Sequence, residues 1–208
     1  MPVHSSSSLV LWCLGAFLCG SIPFGLVLVK LAGKGDVRQH GSGNIGATNV
    51  SRVGGKALGI VTLLLDILKG LLPVLVARRL GWDEGGVSLV ALAAVLGHVF
   101  TPWLRFQGGK GVATALGVAL AFQASMVLPA LGVFLVLVLA FRFVSLGSVA
   151  SAVTLLVVLV WKGAPAPVLV PWALMVLLVV GKHHENLRRL IKGTESPLWG
   201  GAKEASRG

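Results

Sequence analysis

Long runs of apolar residues with almost no charge are the feature that most limits how this chain can fold. The first run extends from Leu9 to Leu31 and contains no charged residue before Lys30. Six further runs follow, over residues 57–77, 87–104, 112–126, 127–142, 147–161 and 168–182. A helix needs about 20 such residues to cross a bilayer comfortably, and the last four runs are shorter than that. We predict an all-α integral membrane protein, a bundle of about seven transmembrane helices.

The composition excludes most other classes of protein. Apolar residues make up 55% of the 208 residues and charged residues 12%, whereas soluble domains carry about 25% charged residues. A disordered chain, a collagen-like fibre and a disulfide scaffold are excluded as well. Cys13 and Cys19 lie in the first apolar run and are expected to be small buried side chains. We expect one membrane-embedded domain over residues 1–208, with a flexible Ser-rich leader (1–8) and a flexible tail (196–208).

The distribution of positive charge predicts the orientation in the membrane. The chain has 18 Lys and Arg against 7 Asp and Glu, a net charge of +11. With the N-terminus outside, fourteen of these cations fall in the inside segments and three fall outside. This asymmetry is typical of cytoplasmic loops. We therefore predict an outside N-terminus and a cytoplasmic C-terminus, and the charge is explained without a nucleic-acid partner.

The number of spans depends on residues 112–142. A single long helix there would give six spans and would place the tail outside. A hairpin that turns near Gln123, Ser125 and Pro129 gives seven spans and keeps the basic tail inside. The charge distribution favours the hairpin.

The first of three polar stretches covers residues 41–49 and is followed by Ser51 and Arg52. Glycine lets backbone N–H groups approach a ligand, and Ser, Thr and Asn side chains add neutral hydrogen-bond donors. A helix that starts near Ile45 would add the positive end of its dipole. The pattern indicates a phosphate site, although a flexible loop between two spans has the same composition.

The second stretch covers residues 105–114 and places Lys110 among three glycines. It differs from a nucleotide P-loop, because Leu104 and Gly111 stand where that motif needs Gly and Ser or Thr. A lysine in a glycine turn before a helix still suits an anion. The alternative is an ordinary tight turn with a cytoplasmic lysine.

The third stretch covers residues 183–195. Helical spacing brings His183, Asn186 and Arg189 to one face. A basic amphipathic helix on anionic headgroups is a serious alternative. Zinc is not expected, because His183 and His184 are adjacent and point apart.

Four other polar residues lie within the apolar runs. Asp66 and Lys69 are three residues apart and are expected to form a buried pair. Gln123 is less informative, and His98 remains open, since it could equally bond a neighbouring carbonyl or contact a substrate.

The sequence contains no nucleophile paired with a base and no carboxylate cluster for a catalytic metal. It offers phosphate-binding groups and one candidate acid or base, His183. Such a site suits a substrate that is already activated, for which positioning and charge stabilisation are sufficient.

These motifs resemble the PlsY family of membrane-embedded glycerol-3-phosphate acyltransferases. The matching pieces occur in the family's order, over residues 20–25, 41–49, 66–70, 97–98, 108–114 and 183–195. The resemblance implies a seven-helix bundle in the bacterial inner membrane, with the active site facing the cytoplasm. It implies acyl transfer from acyl phosphate, not from acyl-CoA or acyl-carrier protein, to the 1-hydroxyl of glycerol 3-phosphate. The products would be 1-acylglycerol 3-phosphate (lysophosphatidic acid) and inorganic phosphate, the first step of phospholipid synthesis.

The resemblance also assigns roles to residues of this chain. Lys110 and His183 would be catalytic, with no cofactor and no metal. The implied substrate-binding residues are Ser42, Gly43, Asn44, Thr48, Asn49, Arg52, Gly108, Gly109, Gly111, Asn186 and Arg189. The 41–49 loop would hold the donor phosphate, whereas Arg52, His183 and Asn186 would hold glycerol 3-phosphate. Either His183 or the substrate's own phosphate would take the hydroxyl proton.

The expected partners are the two substrates, the lipid bilayer and, functionally, the phosphate acyltransferase that makes acyl phosphate. A transporter or flippase for an organic phosphate is the rival function, but it would place its polar residues at the membrane midplane. A lipid-surface scaffold would need the basic tail and would leave both glycine stretches unexplained.

Overall fold

The computed structural model describes residues 5–198, which contain α-helices and short 3₁₀ helices and no strand. The α-helices are α1 (Ser6–Ser21), α2 (Phe24–Leu31), α3 (Ala47–Gly54), α4 (Lys56–Arg79), α5 (Glu84–Val99), α6 (Val112–Gln123), α7 (Val127–Phe141), α8 (Val144–Trp161), α9 (Ala166–Lys182) and α10 (His184–Ile191). The 3₁₀ helices are Val37–Gln39, Pro102–Leu104 and Ala124–Met126. The all-α prediction is confirmed.

Only part of the predicted flexible leader and tail lies within the described residues. Ser5 caps α1 by accepting a hydrogen bond from the backbone N–H of Ser8, so residues 6–8 form the first turn of a helix. Residues 1–4 and 199–208 lie outside the described residues.

The outer surface of the bundle is apolar, as expected for a protein surrounded by lipid. Leu11, Leu128 and Leu177 are 70%, 71% and 67% exposed. A soluble monomer rarely exposes such side chains over a large contiguous area. Five segments are long and apolar enough to span a bilayer, and the bent pair of α9 and α10 would make a sixth. An integral membrane bundle is therefore the architecture.

The first apolar run forms two helices where one was expected. Pro23 lacks an N–H and cannot continue α1, so the helix ends at Ser21. Thr101 Oγ1 donates to the Ser21 carbonyl and Lys69 Nζ donates to the Ile22 carbonyl, each at 2.7 Å. These bonds satisfy carbonyls that would be costly to leave unpaired inside a membrane.

Residues 112–142 form a hairpin, although they are apolar throughout. Gln123 has extended backbone angles (φ −160°, ψ 98°), which interrupt the helix before the 3₁₀ turn. A straight helix of this length would be about 45 Å long. Instead, Ser145 just after α7 and Lys110 just before α6 are linked through Asn186 and Glu195. The chain therefore reverses between α6 and α7.

The connecting segments gather at two ends of the bundle. The site end comprises residues 32–55, 100–111, 142–143 and 183–195. The far end comprises residues 5–9, 80–83, 124–126 and 162–165, where Lys162 Nζ lies 3.3 Å from Ser125 Oγ. The described chain runs between these ends seven times, which agrees with the expected bundle. The number of membrane crossings and their orientation stay predictions.

Helix α6 starts inside the bundle and not at its edge. An added Cβ at Gly70 would collide with the backbone of Thr114, which places the start of α6 beside the middle of α4. Close backbone packing of this kind requires small residues. Helix α5 also ends early, at Val99, so the expected 87–104 span is too long at its C-terminal end. The turn that carries Lys110 is consequently recessed within the bundle.

Candidate functional site

Five polar side chains form a network that links the turn before α6 to the C-terminal segment. Lys110 Nζ donates to Asn186 Oδ1, and Asn186 Nδ2 donates to Glu195 Oε1 at 2.6 Å. Ser145 Oγ donates to the same carboxylate oxygen at 2.8 Å, whereas Arg189 Nε donates to Oε2 at 2.7 Å. We call these five residues the Lys110 network. It joins residues that are far apart in the sequence.

The local fold after α9 explains how the C-terminal part of the network forms. Helix α10 is bent by 53° from α9, with the bend at His183. Asn186 and Arg189 then lie one turn apart on the same face. Gly193 adopts φ +67°, and the Thr194 N–H bonds the Arg189 carbonyl, which turns the chain back. This return places Glu195 against both side chains.

Burial of the Lys110 ammonium group dominates the electrostatics of the network. Burial lowers the pKa of Lys110, the carboxylates of Glu195 and Glu185 oppose that shift, and the charges of Arg189 and Arg52 add to it. Burial acts to raise the pKa of Glu195, but hydrogen bonds from Asn186, Ser145 and Arg189 outweigh it and lower this pKa. Glu195 therefore stays ionised and balances part of the positive charge.

His183 lies beside this network in an uncharged form. It is 3% exposed, and its Nδ1 lies 2.7 Å from the Val179 carbonyl. Because a carbonyl can only accept, Nδ1 carries the hydrogen and Nε2 keeps a lone pair. Burial lowers the pKa of His183 to about 4, with the Val179 bond opposing and the Lys110 charge reinforcing the shift. A neutral imidazole with a free Nε2 can accept a proton or a hydrogen bond.

Arg52 stands on the last turn of α3 with its side chain exposed. Within residues 5–198 it forms no ion pair or hydrogen bond. Its charge lowers the pKa of Lys110, so the two cations face the same region. An unpaired guanidinium near a recessed ammonium is suited to bidentate phosphate binding.

The loop over residues 41–49 is organised around Asn49, which is buried. Asn49 Nδ2 lies within 3.1 Å of the carbonyls of Val37, His40 and Asn44, and its Oδ1 accepts from the Ser42 N–H at 2.9 Å. Its amide is thus engaged with the loop backbone. We revise its expected role from binding substrate to shaping the loop.

The other predicted residues of this loop are more accessible to a ligand. Ser42 and Gly43 are exposed, and Asn44 and Thr48 are half-buried. Asn44 Oδ1 accepts from the Gly46 N–H at 2.8 Å, which leaves its amide nitrogen available. The loop leads into α3 at Ala47, two residues later than the helix start expected at Ile45.

The glycines around Lys110 serve mainly to bring backbones together. The Gly108 and Gly109 N–H groups bond the carbonyls of Val99 and His98 at 3.0 and 3.1 Å, so neither points at a ligand. Gly111 has φ +84° and stands at the start of α6, an end that no side chain caps. Gly108 and Gly109 are therefore reassigned from substrate binding to the support of the turn.

The structure brings together some of the site residues that the sequence predicted. Lys110, His183, Asn186 and Arg189 meet at the site end, as the motifs predicted, but Arg189 is already paired with Glu195. Glu195 and Ser145 were not predicted as site residues. Glu195 could have been noticed as a candidate, because it is one of only seven acidic residues in a strongly basic chain. Ser145 gave no signal.

An open groove of ≈ 630 Å³ lies beside the network at the site end. Lys30, Arg38 and Arg105 supply its positive charge, and Leu26 and Trp103 are among its apolar walls. No residue of the Lys110 network lines it, so the groove and the network are separate features.

The chain is similar to proteins of known class over most of its length. Residues 10–193 match the family described as "Glycerol-3-phosphate acyltransferase". Proteins with that name are 52% identical in Trichlorobacter lovleyi, over 89% of this chain and 95% of theirs, and 52% identical in Geobacter sulfurreducens, over 87% and 93%.

Two solved structures have the same fold. The crystal structure of PlsY (YgiH), an integral membrane glycerol 3-phosphate acyltransferase, in its glycerol 3-phosphate form has a TM-score of 0.88 and 41% identity, covering 93% of this chain and 96% of that chain. Its lysophosphatidic acid form has a TM-score of 0.84 at the same identity, over 91% and 95%. The resemblance inferred from the motifs is confirmed, and the chain belongs to the glycerol-3-phosphate acyltransferase family.

Proposed function

We propose that this protein transfers an acyl group from acyl phosphate to the 1-hydroxyl of glycerol 3-phosphate. The products are 1-acylglycerol 3-phosphate (lysophosphatidic acid) and inorganic phosphate. Family membership supports the acyltransferase class and the acceptor. The choice of acyl phosphate as donor is our inference from the resemblance to the PlsY family. The enzyme would act in the bacterial inner membrane, next in sequence to the phosphate acyltransferase that makes its donor.

The observation that carries the proposal is the recessed Lys110 ammonium held by Asn186 beside neutral His183. Both proposed substrates carry phosphate, and the site end holds several cations near one another, among them Lys110, Arg189 and Arg52. In a partly dehydrated site, each cation stabilises phosphate charge more strongly than it would in water. The arrangement therefore suits a reaction that releases phosphate.

The proposed reaction is direct attack on the mixed anhydride. The 1-hydroxyl oxygen forms a bond to the acyl carbon, and the bond from that carbon to the phosphate oxygen breaks. The bonding electrons leave with the phosphate, where the Lys110 ammonium stabilises the new charge. Phosphate is a good leaving group, so no acyl-enzyme is required. The hydroxyl proton goes to His183 Nε2 or to a phosphate oxygen of a substrate.

The two phosphate groups are assigned to different parts of the site. Ser42, Gly43, Asn44 and Thr48 would hold the donor phosphate in a loop shaped by Asn49. Arg52 and Asn186 would hold glycerol 3-phosphate, with its hydroxyl towards His183. In this assignment Lys110 would lie between the two phosphates and contact both.

Acyl transfer by the purified protein tests the choice of donor. Initial rates would be measured with acyl phosphate, acyl-CoA and acyl-carrier protein of one chain length, each with glycerol 3-phosphate. We expect product and inorganic phosphate in equal amounts with acyl phosphate, and no transfer from the two thioesters. Efficient transfer from acyl-CoA without acyl phosphate would contradict the proposal.

The predicted orientation is tested by labelling single cysteines from outside intact cells. Lys162 at the far end and Lys192 at the site end are both exposed. In a chain without Cys13 and Cys19, an impermeant maleimide should modify Lys162→Cys and spare Lys192→Cys. The reverse pattern would place the site outside the cell. Permeabilised cells, in which both positions should react, provide the control.

A further inference from the structure

His98 lies directly behind the turn that carries Lys110. It occupies the last turn of α5 and is 4% exposed. An added Cβ at Gly109 would overlap its Nε2, so the imidazole rests against the backbone of this glycine. The Gly109 N–H also bonds the His98 carbonyl at 3.1 Å. The turn is therefore supported by both the backbone and the ring of one residue.

A buried ion pair lies on the opposite side of the ring. Asp66 Oδ1 is 3.8 Å from His98 Nδ1 and 2.8 Å from Lys69 Nζ. Lys69 also donates to the Ile22 carbonyl at the break in the first span. His98 Nδ1 has no hydrogen-bond partner among residues 5–198. A ring enclosed by buried charges on one side and by Gly109 on the other has little room to move.

We propose that His98 is a positioning residue, whose ring fixes the Gly108–Gly111 turn and thereby the Lys110 ammonium. The Asp66–Lys69 pair holds the ring in place from behind. This inference rests on the role of Lys110 given under the proposed function. It assigns a task to three buried polar residues that the reaction does not otherwise use.

The rate depends on the distance between the Lys110 ammonium group and the leaving phosphate. Lys110 can stabilise the leaving phosphate only if its ammonium group lies where the negative charge develops. A displacement of about 1 Å in a catalytic group can lower a rate by about a hundredfold. Lys110 directly follows Gly109, so a shift of that backbone moves the lysine side chain with it.

The contact between Gly109 and His98 can be tested by adding a methyl group at the first residue and removing the side chain of the second. Gly109→Ala adds a methyl group that meets a side chain, and His98→Ala removes that side chain. Gly108→Ala is the matched control, because its methyl group would overlap the His98 carbonyl oxygen, which no side-chain truncation removes. The two glycines are adjacent and share the turn.

We expect Gly109→Ala to lower kcat by about ten- to a hundredfold, with KM for glycerol 3-phosphate changed less than about threefold. His98→Ala combined with Gly109→Ala should lose no more than His98→Ala alone, about tenfold, because the added methyl group then enters the space of the missing ring. The same truncation combined with Gly108→Ala should recover nothing. Rescue at one glycine and not at its neighbour would distinguish positioning by the ring from a general loss of stability.

Two results would overturn the inference. One is that Gly109→Ala retains more than half of the wild-type kcat, and the other is that its loss and that of His98→Ala simply multiply in the double variant. If Gly109→Ala alone does not accumulate, His98→Ala provides the test. Its kcat should fall about tenfold while its gel-filtration profile is unchanged, and an unchanged kcat would refute the proposal.

Rates are compared using whichever donor the wild type accepts. If acyl phosphate were not the donor, the wild type would fail to use it. The ratios of variant to wild-type kcat, measured with the true donor, would still be interpretable.

Discussion

The two glycine-rich stretches look alike in the sequence but are held in different ways. The 41–49 loop is shaped from within, because Asn49 bonds the backbone of Ser42 and Asn44 in the loop and of Val37 and His40 before it. The 108–111 turn is held from outside, by the end of α5 and the His98 ring. Residues 41–43 of the first stretch are exposed, whereas residues 108–111 are buried or half-buried.

This difference teaches that glycine content alone does not identify how a loop is used. In the 41–49 loop, small residues leave polar groups accessible to a ligand. In the 108–111 turn, they allow backbones to approach so closely that the Gly108 and Gly109 N–H groups bond carbonyls of α5. What the second stretch offers a ligand is mainly one side chain, Lys110. Substitutions in the two stretches should therefore affect different kinetic constants.

The largest expected effect is that of Lys110→Ala. Loss of the group that stabilises the leaving phosphate should cost about 2–4 kcal/mol, or about 10²–10³ in kcat, comparable with the loss of one transition-state donor. Initial rates at saturating substrates would measure it. Lys192→Ala removes an exposed cation after α10 and should retain full activity. If Lys110→Ala kept more than half of the activity, its catalytic role would be wrong.

The next effect tests the other stretch. Asn49→Ala removes the amide that shapes the 41–49 loop, and we expect KM for the acyl donor to rise about tenfold, equivalent to one or two hydrogen bonds. The kcat value should change less, because Lys110 is unaffected. Arg38→Ala breaks an exposed pair with Asp36 in the same region and should change KM less than twofold. An equal fall in kcat for Asn49→Ala would mean that the two stretches act as one.

A smaller effect is expected when the guanidinium of Arg52 is replaced. Arg52→Lys keeps the charge but loses the fork that can bind a phosphate with two bonds. KM for glycerol 3-phosphate should rise about three- to tenfold while kcat changes little. Kinetics with both substrates varied would measure this. A rise confined to the KM of acyl phosphate would mean that the two phosphate sites are assigned in reverse.

The last predicted effect is on stability and not on rate. The pKa of His183 is about 4 in the folded protein against an ordinary value of 6.5, because burial disfavours the charged form. Between these values the unfolded chain binds the proton and the folded chain does not, so stability falls as pH is lowered. From about pH 8 to about pH 5 the loss from this residue is about 2 kcal/mol.

Thermal unfolding in detergent would measure this pH dependence. The Tm of the wild type should fall more between these two pH values than that of His183→Gln, which cannot take up the proton. Identical shifts in the two proteins would show that His183 is not buried in its neutral form.

Much of the architecture could be predicted from the sequence, because membrane helices follow directly from apolar length. The hairpin at Gln123 and the Asp66–Lys69 pair were both expected, and both form. The early end of α5 was not expected, although Pro102 follows it and disfavours a helical conformation at Thr101. The bond from Thr101 to Ser21, a tertiary contact, then holds the turn there.

The site was predicted less completely than the fold. His183, Asn186 and Arg189 could be grouped because they lie within two helical turns. Glu195 and Ser145 are 50 residues apart, and their contact depends on the bend at His183 and the reversal at Gly193. The loop-shaping role that we propose for Asn49 could not be predicted, because a buried amide that bonds a loop and an amide that bonds a ligand look the same in sequence.

The central claim is that Lys110 acts through a network that spans the chain from the turn before α6 to Glu195. A double-mutant cycle with Lys110→Ala and Glu195→Gln tests it most directly, with kcat as the readout. If Glu195 works by holding Asn186 and Arg189 around the ammonium, its removal should cost about tenfold alone and almost nothing once Lys110 is absent. Losses that multiply in the double variant would contradict the account, because the two residues would then act independently.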